Sequence, residues 1–98
     1  MDGESTALTP KEAIARAKAS IADLFGEESI EDIRLEEIRF DDRTDSWFVT
    51  VGFERPRRAS INGVGLFLET PRRDYKIVSI SDRTGKTVAI SSWTDPRV

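Results

Sequence analysis

The chain contains no cysteine and no histidine among its 98 residues. The first absence excludes a disulfide framework, a thiol nucleophile and thiolate metal sites. The second removes the commonest general base, the commonest metal ligand and the usual physiological pH switch. Catalytic residues, a metal and a cofactor are therefore not expected. No stretch approaches the roughly 20 apolar residues of a membrane span. Residues 1–6 are acidic and polar, whereas a signal peptide runs from basic to apolar. A cytoplasmic protein without membrane contact is the expectation.

What is present is the composition of an ordinary folded domain, 38% hydrophobic and 34% charged, with two Trp and five Phe to anchor packing. A chain of this length buries roughly 60–65% of its unfolded surface. That supports one core, but not a core plus a deep substrate cavity. Charge is uneven. Residues 1–53 carry six Lys/Arg against thirteen Asp/Glu, and residues 54–98 carry nine against five. Such asymmetry marks an interaction face.

Residues 1–8 read as a flexible leader. Thr9, Pro10 and Glu12 then form a helix start: an N-cap, a proline where its missing N–H costs nothing, and a capping-box glutamate. Ala13, Ile14, Ala17, Ile21, Leu24 and Phe25 follow at helical spacing, and Gly26 is expected to end the helix in a left-handed conformation. Ile33 and Leu35 alternate, then Ile38 and Phe40 alternate one residue out of phase. This predicts a strand from about Ile33 with a bulge near Glu36 and Glu37; a short helical turn across Ile30 and Ile33 is the competing reading. Residues 41–46 form a turn, and Trp47, Val49, Val51 and Phe53 follow with a period of two. Residues 75–81 and 87–90 read as strands around a turn at 82–86. Asp-Arg-Thr occurs in both turns, at Asp42 and Asp82. The expected fold is α+β: one N-terminal amphipathic helix packed on an antiparallel sheet of about four strands. An inserted hairpin arm is expected at about 55–73. Residues 9–92 would form the single domain and residues 93–98 a C-terminal tail.

The run from Asp74 through Tyr75-Lys76-Ile77-Val78-Ser79-Ile80-Ser81 to the Asp82-Arg83-Thr84-Gly85 turn and Lys86-Thr87-Val88 combines a tyrosine-led strand, a turn and a return strand. Together with the helix-first order, it resembles PepSY-type domains and the wider cystatin-like group. The resemblance implies a non-catalytic binding or inhibitory module, in some relatives acting on peptidases. Two features differ from that group: residues 1–6 give no expectation of export, and a long insertion is expected between the second and third strands.

That insertion carries Arg55, Arg57, Arg58, Arg72 and Arg73 around Asn62-Gly63, a strong two-residue turn signal. A hairpin centred there would gather Arg57, Arg58, Arg72 and Arg73 at its base, with Ile61, Val64, Leu66, Phe67 and Leu68 further out. Three readings compete: an arm folded back on the sheet, an arm projecting to a protein partner or a second copy, and contact with phosphates. Among functional readings, a non-enzymatic protein-binding module ranks first. Its expected contacts are Arg55, Arg57, Arg58, Ile61, Leu66, Phe67, Arg72 and Arg73, with Phe67 as apolar anchor. Nucleic-acid or phosphate binding through the same arginines is the alternative.

Other polar groups suggest no chemistry. Asp41, Asp42 and Asp45 lack the spacing of a calcium loop. Glu36 and Glu37 would point to opposite faces of a regular strand. The serines have no histidine partner, and Thr84-Gly85-Lys86-Thr87 lacks the upstream glycine of a phosphate loop.

Overall fold

The computed structural model describes residues 6–55 and 72–93. Helix α1 spans Pro10–Phe25. The capping box is complete: the Glu12 amide donates to Thr9 Oγ1 at 3.1 Å, and the Thr9 amide donates to Glu12 Oε1 at 2.8 Å. At the other end Gly26 is right-handed (φ −62°) and continues into a 3-10 turn, Gly26–Glu28. The left-handed residue is Ser29 (φ 56°), whose amide returns to the Gly26 carbonyl. The α-helix thus ends at Gly26 as expected, but the left-handed conformation falls three residues later, after the 3-10 turn.

Four strands follow: β1 Glu31–Asp41, β2 Ser46–Arg55, β3 Arg72–Ser81 and β4 Thr87–Ser92. They pair antiparallel in chain order, so the expected α+β arrangement is the one observed. β1 begins two residues before Ile33, and the helical turn across Ile30 and Ile33 does not form. Its register slips between Leu35 and Glu37, the bulge expected from the phase change, and again between Glu31 and Arg34.

The core is one layer between helix and sheet. Ala13, Ala17 and Ile21 are spaced four apart and fully buried. They meet Val49, Val51 and Phe53 of β2 and Val78 and Ile80 of β3, also fully buried. Two alanines on this stripe let the helix approach the sheet closely. Each buried Val, Ile or Phe contributes about 1.5–3 kcal/mol, against ~0–1 kcal/mol for an exposed ion pair. This layer therefore decides stability.

Each end of the layer is closed. At the end holding the two short turns, Asp82 accepts from the Ala7 amide (2.7 Å), the Leu8 amide (2.9 Å) and Trp47 Nε1 (2.9 Å). Residues 6–8 were expected to belong to a flexible leader, yet Leu8 is buried in the core and two of their amides are tied to a turn 74 and 75 residues away. The two Asp-Arg-Thr turns also lie side by side, with the Asp82 amide on the Asp45 carbonyl at 2.9 Å. Gly85 (φ 74°) takes the left-handed position there, and a Cβ on it would sit 2.7 Å from Arg16 Nη1. At the opposite end Phe25 and Phe53 stack with centroids 5.5 Å apart. The Arg55 guanidinium lies 5.8 Å and 5.9 Å from those rings. No described helix is long and apolar enough to cross a membrane.

Ile21→Ala should cost about 2–5 kcal/mol in urea denaturation, since it empties the centre of the core layer between helix and sheet. Lys11→Ala on the exposed face should stay within ~0.5 kcal/mol. Equal effects would mean that the core is not where this packing puts it.

Burial pushes the Asp82 carboxyl up, but the donors on Ala7, Leu8 and Trp47 outweigh it and hold it below its ordinary value. A lowered carboxyl stabilises the fold above its unfolded pKa of ~3.9 and loses that contribution as pH falls through the lower folded value. Asp82→Ala should therefore cost about 1–3 kcal/mol near neutrality, and the gap from wild type should close below pH ~4. A gap independent of pH would exclude the ionised carboxylate as its source.

Candidate functional site

The register assigns every described strand residue to a face. Trp47, Val49, Val51 and Phe53 face the helix, so Phe48, Thr50, Gly52 and Glu54 face the other way, beside Ser79, Ile77, Tyr75 and Arg73 of β3. Among the described residues nothing is packed over this second face. Its rows read Arg39–Phe48–Ser79–Ala89, then Glu37–Thr50–Ile77–Ser91, then Arg34–Gly52–Tyr75. Trp93 extends the last row, donating its amide to the Tyr75 carbonyl at 3.2 Å.

Three aromatic side chains, Phe48, Tyr75 and Trp93, lie on this face. Tyr75 and Trp93 meet edge to face with centroids 5.3 Å apart, and Trp93 remains 39% exposed. Arg39 lies 4.7 Å above the Phe48 ring. Gly52 makes room for this arrangement: a Cβ there would come within 2.7 Å of Glu36 Oε2 and 3.0 Å of Tyr75 Cε1. A strand residue with no side chain thus lets ring and carboxylate lie flat on the backbone.

Below the aromatics sits an ionic cluster centred on Arg73. Its guanidinium is 3.1 Å from Asp32 Oδ2, 3.6 Å from Glu54 Oε2 and 3.7 Å from Glu36 Oε2. It also donates to the Asp32 carbonyl at 3.2 Å. Asp32 adopts φ 53°, and Arg34 Nε donates to its Oδ1 at 2.9 Å. That Arg34 bond is the main cause holding the Asp32 carboxyl below its usual range, against some desolvation, with Arg73 adding to it. The bulge corrects one expectation. Glu36 and Glu37 do not point to opposite faces: Glu36 reaches Arg73, and Glu37 pairs with Thr50 on the same side.

Among the predicted contact residues, Arg55 and Arg73 have described side chains and lie on different faces. Arg55 lies on the helix side, paired with Glu28 and 2.9 Å from Asp74 Oδ2. Arg73 lies on the opposite face. Arg72 occupies the last rung of the β2–β3 ladder, opposite Arg55. Arg57, Arg58, Ile61, Leu66 and Phe67 lie outside the described residues, as does the expected hairpin itself. The two arginines whose side chains are described, Arg55 and Arg73, are separated by the sheet and each is matched by carboxylates. Phe48, Tyr75 and Ile77 were not identified from sequence as a surface. Their alternation was visible, but which face the helix covers required the register.

Asp41 accepts from the Arg43 amide and the Thr44 hydroxyl, as a turn aspartate does. Among the described residues, no three acidic side chains are placed to hold a metal ion. Compared with family models, curated proteins and solved structures, the chain matched none.

The cluster yields a spectroscopic prediction. Arg34→Gln should raise the Asp32 carboxyl pKa, read by NMR pH titration, and Arg73→Gln should raise it by less. The reverse ranking would mean that Arg73, not Arg34, governs that carboxylate.

Proposed function

We propose that this chain is a non-enzymatic protein-binding module of adaptor, inhibitor or immunity type, acting in the cytoplasm. It would engage its partner through the uncovered sheet face together with the 55–73 segment. The observation that carries this reading is the face itself, where Phe48, Tyr75, Ile77 and Trp93 lie opposite the helix beside a ring of charges. Aromatic anchors with arginine nearby are the groups that dominate protein interfaces. The PepSY-like and cystatin-like resemblance points the same way. The filled, apolar layer between helix and sheet also favours binding on an outer surface over chemistry in a pocket between those layers.

Phosphate or nucleic-acid binding ranks second for an electrostatic reason. Arg55 and Arg73 already spend their charge on Glu28, Asp74, Asp32, Glu36 and Glu54. Binding to phosphates would have to break those pairs or rely on the arginines of the connecting segment.

Affinity capture from nuclease-treated lysate of the source cell tests the reading. Wild type would be compared with Trp93→Ser and with a triple variant, Phe67→Ser, Arg57→Glu and Arg72→Glu. A protein held by wild type and lost from either folded variant is the expected result. Identical capture by all three, or capture only when nuclease is omitted, would sink it; the second outcome would move nucleic acid to first place.

A further inference from the structure

The sheet is open, and its two edge strands are built differently. β1 carries Glu31, Asp32, Arg34, Glu36, Glu37, Arg39 and Asp41, two register slips and a left-handed Asp32. Charges and bulges of this kind prevent another strand from adding to an edge. β4 reads Thr87-Val88-Ala89-Ile90-Ser91-Ser92, without a charge or a proline. Among the described residues nothing pairs with its outer side.

The direction of its free hydrogen-bonding groups follows from one bond. Trp93 directs its amide to Tyr75 in β3, so by alternation Ser91 and Ala89 also face β3. Ile90 and Ser92 therefore present their N–H and C=O outward, and Val88 lies at the irregularity that precedes them.

We propose that β4 pairs antiparallel with β4 of a second copy, joining two sheets into one of eight strands. With Ile90 on the two-fold axis, the two Ile90 residues exchange a pair of backbone bonds, and Val88 of one copy lies opposite Ser92 of the other. An uncharged strand meets itself without opposing like charges, a condition that β1 cannot satisfy. Of the exposed large apolar residues among those described, Val88 and Trp93 lie in and just after β4, while Leu35 lies on β1. Val88 is 62% exposed and Trp93 39%. Leu24, 62% exposed, continues the helix line of Arg16 and Ser20, which bind the Gly85 carbonyl and the Thr87 hydroxyl. That line runs along β4. Antiparallel edge pairing turns about an axis perpendicular to the sheet, so both helices lie on one side and the two Leu24 side chains flank the seam. A strand pair alone falls short of the ~1,200 Å² of a stable interface. Leu24 and Trp93 supply further apolar area. The seam meets the aromatic face at Trp93, which borders both, but its tests at Val88, Leu24 and Ile90 do not depend on the partner reading.

Sedimentation equilibrium of the full chain should show a dimer. Val88→Lys and Leu24→Glu, each checked for folding by circular dichroism, should weaken it at least ~10-fold. Ile90→Cys, the only thiol in the variant, should form a covalent dimer on mild oxidation. A monomeric wild type overturns the proposal. So does a dimer that survives Val88→Lys and leaves Ile90→Cys uncrosslinked. If Val88→Lys fails to fold, the Ile90→Cys result decides alone.

Discussion

The structure depends on how closely one helix can approach one sheet. Ala13 and Ala17 carry almost no side chain, so the helix settles onto Val49, Val51 and Val78, while Ile21 fills the remaining depth. Among the described residues the core is this single layer. Its interior is apolar, and the polar groups that border it lie at its ends. The carboxylate of Asp82 closes one end with three donors, and the guanidinium of Arg55 closes the other over two phenylalanine rings.

This arrangement also divides the charges by task. Arg55 would read as a surface contact by composition alone, yet its position over Phe25 and Phe53 makes it part of the core's boundary. Arg73 is on the other side of the sheet and holds three carboxylates that would otherwise repel one another. The acidic first half of the chain and the basic second half are thus partly reconciled inside the fold, through β1 carboxylates against a β3 arginine. What the open face presents outward is Phe48, Tyr75 and Trp93 among exposed charges such as Glu37 and Arg39.

Features written into consecutive residues were legible in the sequence. The Thr9–Glu12 capping box, the period-two run of β2 and the phase slip at Glu36 each need only local chemistry, and each appears where its pattern places it. Features that depend on distant partners were not. Nothing near Gly26 reveals that Ser29 will take the left-handed position, and nothing near Asp82 reveals that Ala7, Leu8 and Trp47 will donate to it. The face shared by Phe48, Tyr75 and Trp93 has the same origin: it exists only once β2, β3 and the residue after β4 are brought into register. A strand pattern tells which residues share a side, but not which side the helix will cover.

Because all four strands pair with their neighbours in chain order, most of the sheet assembles from local hairpins at modest entropic cost. The tie between Asp82 and the amides of Ala7 and Leu8 has the longest span of the contacts that join the helix to the last turn, ahead of Arg16 to Gly85 and Ser20 to Thr87. A contact of that span gains little until the helix and the last turn are both in place, so it belongs to the end of folding. It acts as a latch on a finished structure, governing how long the native state persists more than how quickly it is reached.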